Sequence, residues 1–171
     1  MDVMVADTSV LIDLERGSLL EQSFALPFRF KVPDLLYRNE LLNRRQGPAF
    51  GERLVRLGLE VVELNGDEVS RAVLFGREYR GLSLPDSFAL ALAAGRKWTL
   101  LTGDAALRAL AQCLRVTCHG VLWVLDRIHQ EGVASPEELV SGLTRIRDHP
   151  RCRLPGDEID IRLRHYAEHC E

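Results

Sequence analysis

Lysine is almost missing from this chain. Two lysines stand beside 20 arginines, against 25 acids, for a net charge of −3. A chain so balanced exerts no global pull on nucleic acid or acidic membrane, so an anionic ligand must be drawn by a local patch. The arginine excess suits bidentate phosphate contacts, though genome composition accounts for it equally well. Long apolar runs are absent: nothing approaches the roughly 20 residues of a membrane span. The opening MDVMVAD has an acid at position 2 and no basic n-region, so no secretory signal is expected and the expected location is cytoplasmic. Cysteine pairs at metal-binding spacing are also missing. Cys113, Cys118 and His119 form one possible zinc set, and His165, His169 and Cys170 another. Neither has the Cys-x2-Cys spacing of a zinc signature, and free thiols are expected. Aromatics are 6%, with no aromatic and basic alternation of the kind that forms a stacking platform for single strands. Repeats and low-complexity tracts are lacking too.

What is present is an alternation. The 171 residues are 46% apolar, enough for one domain with a proper core. Short apolar runs read as strands: VMVA, FRFKV, LEVVEL, WTLL and RVTC. Between them lie helical stretches: 9–17, a short one at 18–24, Pro33 to about Arg45, and one closed by Gly58. More lie at 67–79, 83–95 and 104–114, then VLWVLDRIHQ and 135–146. IDIRLRHYA near the end suits either a helix or a strand. Strands alternating with helices predict an α/β fold, a central parallel sheet with helices on both faces. The expected division is a main domain over 1–148 and a tail over 149–171 packed on the domain or on a partner.

Four acids sit where acids are costly. Asp7 ends the strand VMVA, and Asp104 comes after WTLLTG. Glu40 lies in VPDLLYRNELLN; at about 100° per residue it falls at the edge of the apolar face of Leu35, Leu36 and Leu42. Asp86 opens a helix that continues FALALAA, apolar all round and therefore buried. Each acid alone has an ordinary role. Asp104 suits an N-cap, Asp86 the far end of a capping box with Ser83, Asp7 a cap, and Glu40 a solvated helix face. Together, two strand-end acids and two at the inward edges of helices can converge on one cleft. Clustered carboxylates repel unless a hard divalent cation, Mg²⁺ or Mn²⁺, is bound.

Taken in order, ADTSVLID, NEL, LPDSFALALA and LLTGDAALRALA resemble the PIN-domain nucleases, over about residues 3–118. That family includes VapC-like ribonuclease toxins and related solitary proteins. The resemblance implies a three-layer α/β/α fold, with the segment from HGVLWVLDRIHQEG to the end as a helical carboxyl-terminal extension. It assigns Asp7, Glu40, Asp86 and Asp104 as metal-holding catalytic acids, with Thr8, Ser9 and Thr102 as nearby hydroxyls. It implies metal-dependent hydrolysis of RNA to 5′-phosphate and 3′-hydroxyl products, a homodimer, and an antitoxin partner if the chain is a toxin. Many members carry a further acid soon after the last Asp. Here 105–111 reads AALRALA, so the metal count, one or two, stays open, and a weak or inactive PIN-like binding module is the alternative.

Arg38, Arg44, Arg45 and Arg108 are the candidate phosphate contacts. Trp98 and Trp123 read as core or interface anchors, and His119 as a cap or a neighbour of the site. The apolar face Val121, Leu122, Val124, Leu125, Ile128 is expected to pack on the sheet or partly to form a dimer surface. A receiver domain would need an acidic pair after the first strand, and a haloacid-type phosphatase Asp-x-Asp; position 9 is Ser.

Overall fold

The computed structural model describes residues 1–42 and 47–170. Five strands form one all-parallel sheet: β1 (Asp2–Ala6), β2 (Phe28–Pro33), β3 (Glu60–Val62), β4 (Thr99–Leu101) and β5 (Cys118–His119). Their order is β3-β2-β1-β4-β5. β1 is thus the middle strand. Met4, Val5 and Ala6 are buried, as an all-apolar strand covered on both faces requires. The chain walks outward from β1 to β3, then returns to lay β4 on the other flank of β1. This reversal opens a crevice beyond the carboxyl ends of β1 and β4, the usual ligand position in such sheets.

The helices are α1 (Thr8–Arg16), α2 (Leu20–Phe24), α3 (Asp34–Leu36), α4 (Pro48–Leu57), α5 (Gly66–Glu78), α6 (Leu84–Arg96), α7 (Ala105–Cys113), α8 (Val121–Glu131), α9 (Pro136–Asp148) and α10 (Gly156–Ala167). Helices flank the sheet on both faces in the expected three-layer arrangement. α6 packs across β1, β2 and β4, and its Ala89 to Ala93 run is fully buried. No helix among the described residues is long and apolar enough to cross a membrane.

Several local expectations are corrected. Pro33 does not open a helix; it closes β2, paired in register with Val62. The helix after it changes pitch, with Tyr37–Leu41 forming a π-helical turn. The RVTC strand shrinks to a start at Cys118, because Arg115 turns the chain off α7 in the left-handed region at φ 56°. On α8, Val121, Val124, Leu125 and Ile128 are buried, with α1, α2 and α9 alongside and Trp123 stacked on Phe28 of β2. The last segment is helical: α10 lies on α9, with Ile159 and Tyr166 buried.

One buried charge holds the rim opposite the crevice. Glu68 completes a capping box with Asn65 and takes Arg96 in a fork, Nε to Oε1 at 2.8 Å and Nη2 to Oε2 at 3.1 Å. The Arg96 guanidinium holds the Glu68 carboxyl below its ordinary range. Glu68→Gln is expected to cost about 2 kcal/mol at neutral pH, less than a fully buried pair because Arg96 is partly exposed. Urea denaturation checks this; a loss under about 0.5 kcal/mol would show that the pair contributes like a surface one.

Candidate functional site

The crevice is built around Asp7. Its amide donates to the Leu101 carbonyl at 2.8 Å, fastening the end of β1 to β4. The side chain is only 5% exposed. Its Oδ2 accepts from Ser9 Oγ at 2.8 Å and from Thr102 Oγ1 at 2.8 Å. Two hydroxyls on one oxygen fix the plane of the carboxylate. Burial pushes its pKa up, Glu40 adds to the rise, and the two hydroxyls oppose it.

Thr102 and Ser9 also shape the neighbouring loop. Thr102 Oγ1 accepts from the Asp104 amide at 3.0 Å, and Ser9 Oγ accepts from the Gly103 amide at 2.9 Å. A Cβ at Gly103 would come within 3.3 Å of that hydroxyl, so the close approach favours glycine. Asp104 is exposed and caps α7, its Oδ1 accepting from the Leu107 amide at 2.8 Å. The capping role and the place at the crevice coexist: one side chain serves both the helix end and the β1–β4 rim. Arg108 Nη2 donates to the Thr102 carbonyl at 3.0 Å, bracing the loop from α7.

Asp86 arrives at the third position of α6. Ser83 Oγ accepts from its amide at 3.2 Å, the first half of the expected capping box. Burial raises the Asp86 pKa, followed by the charges of Asp7 and, more weakly, Asp104, with Ser83 opposing. Glu40 reaches the crevice from the π-helical turn, where its Oε2 accepts a hydrogen bond from Thr8 Oγ1. The turn is marked by the Leu42 amide donating to the Tyr37 carbonyl, five residues back, at 3.0 Å. Leu36 and Leu41 are the buried pair, five apart, so the uniform helical face drawn through Leu42 does not hold. Such insertions cluster at functional sites.

All four acids therefore border one crevice. Thr8, Ser9 and Thr102 are engaged there as well. Arg38 lies on the exposed face of the turn, 3.7 Å from Asp34; Arg44 and Arg45 lie outside the described residues. Two basic residues were missed by sequence reasoning. Arg151 and Arg153, with Ser9, Gly103, Asp104 and Arg16, line a cavity of about 270 Å³ beside the acids. The signal was the basic, proline-bounded HPRCRLP, remote along the chain from every acid. Beside it, a larger cavity of about 600 Å³ is lined by Arg108, Arg153, His119 and Trp123 among others. His119 stacks on Trp123 with ring centres 4.2 Å apart and planes 4° from parallel, and Trp123 stacks on Phe28. Burial and Arg108 lower the His119 pKa.

The donors facing the crevice are carboxylate and hydroxyl oxygens, the set a hard divalent cation takes. Among the described residues no three of these carboxylates bring oxygens within 4.8 Å of one another. The group is thus an open arrangement, fit for an ion that keeps several waters, rather than a closed protein cage.

A doubly flanked parallel sheet with an acid-lined crevice at its switch point defines an α/β protein that gathers carboxylates at one edge of the sheet. A family model described as DUF3368, a PIN domain, matches residues 3–168, and the chain belongs to that family. The match runs through α10, so the helical end falls inside it. PIN domains are typically nucleases that use divalent metal ions. No curated protein matches the chain.

Proposed function

We propose that this chain is a divalent-metal-dependent endoribonuclease. The observation that carries the reading is the bond between Thr102 and Asp7 at 2.8 Å. It fixes a buried acid at the end of β1 beside Asp104 at the end of β4, with Asp86 and Glu40 turned to the same crevice. Mg²⁺ or Mn²⁺ held by Asp7, Glu40, Asp86 and Asp104 would supply a water of lowered pKa and relief of phosphate charge. Ser9 and Thr102 keep Asp7 oriented while that happens. One of the four acids would also take a proton from the attacking water.

Substrate positioning falls to the basic rim. Arg151 and Arg153 line the cavity beside Asp104 and are suited to phosphates flanking the scissile bond. His119, backed by Trp123 and lining the larger cavity, would offer a ring face to an unpaired base. As the toxin of a toxin–antitoxin pair, the chain would be silenced by a partner that seats a basic side chain among the four acids. A homodimer is part of the same reading.

The test is cleavage of a mixed single-stranded RNA pool with Mg²⁺, with Mn²⁺ and with EDTA, alongside Asp104→Asn. Cleavage is expected to need the metal and to fall at least about 10²-fold in the variant. A folded wild type that binds RNA and leaves it intact in both metals would replace this reading by the binding module, which the lack of an acid in 105–111 already favours as the second choice.

A further inference from the structure

Away from the crevice, three imidazoles meet at the seam of α8 and α10. His129 comes from the last turns of α8. His165 and His169 come from the end of α10 and the turn beyond it, four residues apart and so on one helical face. The ring centres are 5.2 Å apart for His129 and His165, 5.2 Å for His129 and His169, and 4.9 Å for His165 and His169. One ligand nitrogen from each lies within 4.8 Å of the other two, and among the described residues this is the one group of three or more such side chains that does so.

We infer that His129, His165 and His169 form a zinc site that pins α10 to α8. Imidazole nitrogens placed about 2.0–2.1 Å from a tetrahedral Zn²⁺ put ring centres roughly 5 Å apart, close to the spacing found. The tautomer fits as well. His169 Nδ1 lies 2.8 Å from the His165 carbonyl, which can only accept, so Nδ1 carries the proton and Nε2 keeps its lone pair. A backbone carbonyl orienting the far nitrogen in this way is the usual support of a metal-bound histidine. Nitrogen donors select Zn²⁺ over Mg²⁺, so the site is chemically distinct from the carboxylate crevice. His129 and His165 also line a cavity of about 350 Å³ with Asp126 and Glu158, which admits water as a fourth ligand. Cys170, placed by sequence with His165 and His169, is not the third member: its thiol meets the Tyr166 carbonyl at 3.6 Å.

The experiment is Zn²⁺ titration of the chelator-treated full chain by calorimetry, with metal content measured after gel filtration. One equivalent is expected to bind. It is retained in Asp7→Asn/Asp104→Asn and weakened at least about 10²-fold in His165→Ala and in His169→Ala. Saturating Zn²⁺ is expected to raise the Tm of the wild type and of the acid variant, but not of the histidine variants, while Mg²⁺ does not compete. Proton NMR of the wild type with Zn²⁺ is independent of any variant's folding, and three histidine rings should shift together. No bound equivalent, equal binding by His165→Ala, or loss in the acid variant instead would each overturn the site.

Discussion

Asp7→Asn is expected to abolish metal-dependent cleavage and, in the same protein, to raise the Tm measured without metal. The loss results from removing the most buried of the four acids, and at least about 10²-fold is expected. The gain results from burial. Asp7 lies in a place that favours a neutral side chain, and asparagine can still accept from Ser9 and Thr102. About 1 kcal/mol, or roughly 2–4 °C for a chain of this size, is the expected rise. The pH dependence carries the same signature. Asp7 and Asp86 have raised pKa values, so the folded state binds their protons more tightly than the unfolded chain does. Without metal, stability should therefore increase as pH falls from neutrality through those raised values, and be complete below the ordinary carboxylate range. Glu68 has a lowered pKa and acts in the opposite sense, its contribution being lost at still lower pH. Asp7→Asn should flatten the first change and leave the second. A variant that keeps its activity, or whose Tm falls, would remove Asp7 from the role given to it.

The second large effect is expected far from the crevice. Tyr166 is the largest fully buried side chain, at 0% exposure. Its hydroxyl donates to Asp126 Oδ1 at 2.8 Å, and Arg162 forks onto the same carboxylate with Nε at 3.0 Å and Nη2 at 2.7 Å. Tyr166→Ala removes an aromatic ring from a closed space and should cost about 3–5 kcal/mol. Tyr166→Phe keeps the ring and should cost about 1 kcal/mol, because Arg162 still satisfies Asp126. Guanidinium denaturation of both variants separates ring from hydroxyl. An alanine cost below about 1 kcal/mol would mean that α10 unfolds independently of the core.

The alternation of short apolar runs and helices was enough to read the sheet, and a carboxylate at the end of VMVA was enough to single out Asp7. Asp104 was legible as a cap and as a strand-end acid, and both readings hold at once. Glu40 was legible by type but not by path. A π-helical turn inserts one residue into the helical count, and no local pattern in LLYRNELL announces it. Leu36 and Leu41 reveal the spacing only once burial is seen. Arg151, Arg153 and the His119–Trp123 stack were illegible for another reason. They meet the crevice through tertiary packing of the last third of the chain, and periodicity within a helix carries no such information. The same limit hid His129 from the pair His165 and His169.

Thr102 and Asp7 meet across 95 positions of sequence, and this fixes a timetable. The middle strand leaves the ribosome well before the strand that completes its rim. A nascent chain stopped anywhere before Thr102 holds Asp7 with no hydroxyl from β4 to orient it and no Asp104 beside it. Pairing across such distances is also slow once it becomes available. For a member of a nuclease family, the fold thus withholds its complete acidic crevice until that later strand has emerged.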